Sequence, residues 1–221
     1  MKEKKMSEII KQRLEDKNIK NLANENISDY ICSDELNALK IEVEQNVSTL
    51  LNSLTFDTQN DHNIQGTSDR LTRMFINEIF SGRFLPQPDI TVFPNTKELD
   101  ELYIVGPIQV NSTCAHHFAP IIGKLWIGVI PGSILIGLSK FHRLVHWILS
   151  RPQIQEEAIV QIADKIESLI HPKGIGVIMK MTHTCTTLRG VKDSSSLMKT
   201  SVMRGVLKNN EKTRAEFLNI I

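Results

Sequence analysis

Apolar positions change period along this chain. Leu36, Leu39, Val43, Val47, Leu50, Leu51 and Leu54 recur at the spacing of one helix face, and a second helix is predicted over 69–80, closed by Gly82. The polar run "DTQNDHNIQGTSD" between them reads as a loop. Beyond Gly82 come short runs rich in β-branched and aromatic residues, "DITVF", "ELYIVGPIQV" and "KLWIGVI", separated by Pro, Gly and Asn, which predict strands. "SKFHRLVHWILS" returns to helical spacing, with Ser139 as its expected N-cap and Pro152 ending it. A further helix is predicted with Pro152 near its first turn and a core stripe of Ile154, Ala158, Ile162, Ile166 and Ile170; "HPKG" stops it. In "GIGVIMKMTHTC", Ile175, Val177, Met179, Met181, His183 and Cys185 share one parity, so a strand would send both chemical side chains to one cavity. "TSVMRGVL" predicts a last strand and "EKTRAEFLNII" a last helix. Residues 1–34, polar with scattered Ile and Leu, suit a loosely attached helical arm ahead of one domain over 35–221. The class is α+β.

Composition removes several functions. With 26 Lys and Arg against 25 Asp and Glu, the net charge of +1 gives no basic excess to drive binding to nucleic acid. The longest apolar stretch, "LWIGVIPGSILIGL", is broken by Pro131 and Gly132 and is too short to span a bilayer. The opening residues lack the apolar core of a signal peptide, so a cytoplasmic protein without membrane contact is expected. The three cysteines, Cys32, Cys114 and Cys185, cannot all pair, which favours reduced thiols available as ligands.

Candidate chemistry gathers in "NSTCAHHFAP". Cys114 and His117 stand three apart, and with Cys185 they make a Cys2His set of the borderline-soft kind that zinc prefers. Three protein ligands leave the fourth tetrahedral position to water, and His116 and His183 are close enough in sequence to exchange protons with it. The alternatives are small buried cysteines with hydrogen-bonded histidines, or a structural zinc with His116 or His183 as fourth ligand.

A second group suits phosphate. Lys140 and Arg143 lie in the first turns of the predicted helix beside Ser139, where two cations oppose the positive end of the helix dipole unless an anion binds there. A solvated basic face is the alternative. Gln155 and Glu156 fall off the expected core stripe, so Glu156 is either surface or a bidentate acceptor for N1–H and the amine of guanine. Arg189, four residues past Cys185, is a further candidate cation.

In this order, "STCAHHFAPIIGKL", "IGLSKFHRLVHWILSRPQIQEE", "HTCTTLRGVKD" and "TRAEFL" resemble the GTP cyclohydrolase I family over residues 36–217. The resemblance implies zinc on Cys114, His117 and Cys185, and proton transfer by His116 and His183. It also implies a guanine anchor in Glu156 with Gln155, and triphosphate contacts from Ser139, Lys140, Arg143 and Arg189. Arg70 and Arg73 align with basic residues that approach from a neighbouring subunit. The fold implied is the tunnelling fold (T-fold): an antiparallel β-sheet with helices packed on one face, assembling into a multi-subunit barrel, here a homodecamer with sites between subunits.

The implied reaction is hydrolytic opening of the guanine ring of GTP, loss of C8 as formate and rearrangement to 7,8-dihydroneopterin triphosphate, which feeds folate or other pterin synthesis. There are departures: Ala115 stands where the family usually has Glu, Thr67-Ser68 where it has Thr-Pro, and Met198 and Lys199 where it is richer in Thr. These keep two alternatives open, a ring-opening relative that stops at a formamide or cyclic phosphate, and a catalytically silent zinc protein used in assembly or regulation.

Overall fold

A computed structural model describes residues 4–221. Two compact units meet in sequence between Pro86 and Gln87. In the first, α1 (Met6–Asp16), α2 (Ser33–Ser53) and α3 (Thr67–Arg73) are followed by a π-helical stretch over Met74–Ile79 and a short α4 (Ser81–Phe84). The amino-terminal segment is packed rather than loose: Ile10, Leu14 and Ile27 are buried with Leu39. Arg13 adds hydrogen bonds to the Tyr30 carbonyl and the Glu35 carboxylate, at 2.6 and 2.8 Å. So few apolar residues left this packing nearly invisible in sequence.

The second unit begins with β1 (Val92–Pro94), β2 (Tyr103–Cys114), β3 (Pro120–Ile130) and β4 (Ile134–Ile136). Next come α5 (Leu138–Leu149), β5 (Pro152–Gln153), α6 (Gln155–Ile170) and β6 (Gly174–His183). The chain closes with α7 (Thr184–Thr187), β7 (Met198–Gly205), α8 (Val206–Asn209) and α9 (Glu211–Ile220). Strands β2, β3, β6 and β7 form an antiparallel sheet, to which β5 adds a two-residue parallel bridge on β2. The class is α+β.

One sheet face buries Leu125, Ile127, Val129, Val177 and Met179 against α5 and α6. The expectation that only one face would carry helices needs correction. On the other face Phe217 of α9 is fully buried with Ile130, Ile178 and Leu207. Gly128 and Gly176 are register partners on β3 and β6, and a Cβ on either would lie 2.7 Å from the Phe217 ring. The missing side chains make the slot that the ring fills.

Three local expectations also shift. The N-cap of α5 is Gly137, not Ser139, because β4 pairs with β1 up to Ile136 and the helix starts as soon as that pairing ends. Pro152 is held in the bridge to β2, so α6 begins at Gln155 with Ile154 as its N-cap. Its buried face is therefore Gln155, Ala158, Ile159, Ile162, Ala163, Ile166 and Ile170, which puts Gln155 inside and leaves Glu156 exposed.

Candidate metal centre and nucleotide site

Cys114 ends β2, and the chain turns at once: the Phe118 N–H donates to the Cys114 carbonyl and the Cys114 N–H to the Ala119 carbonyl, at 2.9 and 2.8 Å. His116 and His117 lie at the exposed tip of this turn. A third bond, from the Ala115 N–H to the Gln153 carbonyl at 2.9 Å, ties the turn to β5. No sequence signal pointed to that brace.

The other half of the site comes from β6. Its register places His183 opposite Ile121, at the same end of the sheet as Cys114. The strand stops there. Cys185 belongs to the single turn α7, so the parity argument that put it on the His183 face does not hold. It arrives by a different route: the Thr184 hydroxyl donates to the Pro120 carbonyl at 2.7 Å, and the turn swings the thiol inward.

The result is a cluster. Cys114, His117 and Cys185 each offer one ligand atom, and these atoms lie within 4.8 Å of one another. It is the sole group of three or more His, Cys, Asp or Glu side chains found close enough to hold a metal among the described residues. His116 and His117 each place Nδ1 3.9 Å from the Cys114 sulfur, so proximity to Cys114 alone does not tell them apart; Cys185 does, because the cluster includes only His117.

The donor set fits a borderline-soft cation. Burial pushes the Cys185 thiol above its ordinary pKa, and the adjacent Cys114 pushes it further, since two thiolates side by side repel. A divalent ion between them reverses this by stabilising both thiolates.

Beside the cluster, Gln155 is buried and every polar atom of its amide is used within the chain. The NH2 group donates to the Met179 and Met198 carbonyls and the Thr200 hydroxyl, at 3.4, 3.3 and 2.9 Å. Carbonyl oxygens only accept, so the amide cannot be flipped, and its oxygen faces His183 Nε2 at 2.9 Å. His183 therefore carries a hydrogen on Nε2 and turns Nδ1 the other way. Burial lowers the pKa of His183, and the nearby Glu156 carboxylate opposes that shift.

The remaining sequence candidates divide between the two units. Ser139, Arg143 and Arg189 are exposed on the second unit, while the Lys140 ammonium donates to the Asp89 carbonyl at 3.0 Å. Arg70 and Arg73 belong to the first unit, where Arg70 donates to the Thr67 hydroxyl at 2.8 Å and Arg73 pairs with Asp69 at 2.6 Å.

A sequence model described as GTP cyclohydrolase I matches residues 43–221. The chain belongs to the GTP cyclohydrolase I family. It is 37% identical over 183 residues to GTP cyclohydrolase 1 of Haemophilus ducreyi, covering 82% of this chain and 84% of that protein. It is 38% identical over 180 residues to GTP cyclohydrolase 1 of Aeromonas salmonicida, covering 81% and 82%. Among solved structures, the archaeosine synthase QueF-Like in the apo form aligns with 54% of this chain and 97% of its own at 13% identity and a TM-score of 0.37, too slight a likeness to carry an argument. The family match spans the cluster, Gln155, Glu156 and Arg189, and in the first unit it takes in Arg70 and Arg73. No helix of the described residues is long and apolar enough to cross a membrane.

Proposed function

We propose that this chain converts GTP to 7,8-dihydroneopterin triphosphate with release of formate, and that Cys114, His117 and Cys185 hold zinc while it does so. The observation that carries the proposal is the cluster of two thiols and one imidazole within 4.8 Å, beside a histidine held by a buried amide, in a member of this family. Bound there, the ion supplies Lewis-acid activation of water.

The chain's own groups do the rest. His183, fixed through Nε2 by Gln155, takes a proton at Nδ1 from the water that attacks C8 and passes it to N7 of guanine. Opening of the ring and a second hydrolysis release C8 as formate; His116, exposed at the turn, serves the later proton transfers. Glu156 accepts hydrogen bonds from N1–H and the 2-amino group. Ser139, Lys140, Arg143 and Arg189 take the triphosphate at the start of α5, where the helix dipole adds to their charge. Engaging the triphosphate would release Lys140 from the Asp89 carbonyl.

Arg70 and Arg73 complete the phosphate contacts from a neighbouring subunit of a homodecamer, in which the four-stranded antiparallel sheets join into the barrel of the tunnelling fold. A cytoplasmic location suits a reaction on cellular GTP.

Purified protein given GTP should yield formate and, after oxidation, fluorescent neopterin in equal amounts. Formate without pterin would point instead to a relative that stops after ring opening, and neither product to a silent zinc protein. His183→Ala should keep zinc and lose turnover, whereas Cys185→Ala should lose both. Equal zinc contents in the two variants would contradict the division between ligand and proton donor.

A further inference from the structure

Another pair of histidines lies outside the cluster. His142 and His146 are four residues apart on α5, so one helical turn brings them to the same face. That face is open: His146 is exposed and His142 is partly so. His142 Nδ1 lies 3.2 Å from the Leu138 carbonyl oxygen. A carbonyl only accepts, so Nδ1 carries the hydrogen, and Nε2 of the neutral ring keeps its lone pair. An imidazole anchored through one nitrogen to a backbone carbonyl, with the other nitrogen bare, is the usual state of a metal-ligating histidine.

We propose that His142 and His146 form a two-imidazole chelate for a borderline divalent transition ion, of the zinc or nickel kind, separate from the cluster at Cys114, His117 and Cys185. The same spacing of two histidines along one helix face serves metal binding in other proteins.

Three features support the chelate. Both donors are imidazole nitrogens, which select zinc, nickel or copper over magnesium and calcium. Burial lowers the pKa of His146, which favours the neutral ring whose lone pair a metal ion can take. The four-residue spacing along α5 brings the two rings near one another.

The nearby cations set a limit. The Lys140 ammonium is drawn away to the Asp89 carbonyl, but Arg143 adjoins His142 in sequence and repels an incoming cation. The site is therefore weaker than the thiolate cluster. By clamping one turn of α5 in its folded form, the bound ion stabilises the chain.

Nickel(II) is the probe. The full-length chain, with its zinc content measured before and after, is titrated with nickel by calorimetry. One saturable nickel per chain is expected, without loss of zinc and with a rise in melting temperature. His142→Gln and His146→Gln, conservative changes at open positions of the helix, should each weaken nickel binding by about tenfold or more and leave the zinc content unchanged. His171→Gln, at the end of α6, should change nothing. Three results would overturn the proposal: no saturable nickel binding, nickel taken up only as zinc is lost, or full affinity in either of the two α5 variants, which would mean a lone imidazole.

Discussion

Gln155 carries two assignments that one substitution separates. Family resemblance groups it with Glu156 as a guanine anchor, whereas its geometry spends the whole side chain on Met179, Met198, Thr200 and His183. If it positions His183, Gln155→Ala should lower kcat about 10–100-fold with KM for GTP nearly unchanged and zinc retained. Loss of the Nε2-bound hydrogen signal of His183 in nitrogen-15 spectra should accompany the change. A raised KM with intact kcat would instead return the residue to substrate binding. Sequence alone singled out two cysteines, three histidines and a Gln-Glu pair as candidates here. It could not show that Gln155 faces inward, because the start of α6 depends on Pro152 being captured by β2, a contact between distant parts of the chain.

At the scale of elements, α9 is held by one aromatic ring in a slot cut by two glycines. Phe217→Ala should cost about 3–5 kcal/mol in denaturant unfolding of the second unit. Gly176→Ala should loosen α9 by forcing a Cβ into the same ring. Unchanged stability in both would show that α9 contributes little to the fold. Helix α1 depends on a different force. The Glu35 carboxyl is lowered to about 2, chiefly by its hydrogen bond to Arg13 and then by the Cys32 N–H. Its unfolded pKa is about 4.3. A depressed carboxyl contributes stability above the unfolded value and loses it as pH falls toward the folded one. Protection of the α1 amides, taken relative to their intrinsic exchange rate at each pH, should therefore fall between about pH 4.5 and 2, and Glu35→Gln should remove the part of that fall due to this pair. Equal profiles for wild type and variant would exclude the pair as the cause. The long periodic helices and strands were legible because each repeats one spacing over many residues. The bridge at β5 and the single turn α7 were not, because two to four residues carry no period.

At the scale of the whole molecule, a site shared between subunits has a distinctive signature. If Arg70 serves a neighbour's nucleotide, Arg70→Ala and Cys185→Ala chains, each inactive alone, should regain activity when dissociated and reassembled together. No recovery from a verified mixed oligomer would place Arg70 outside the shared site. Sequence by itself determined the alternation of helical and strand periods, the α+β class and a ligand set suited to zinc, since these follow from residue type and local spacing. Only the tertiary structure decided that Cys185 reaches the cluster from a turn and not from the strand, that Gln155 is buried against His183, and that Phe217 packs on the second sheet face. Each of those depends on strand register and helix start points, which are set by contacts between residues far apart in the chain and leave no trace in local pattern.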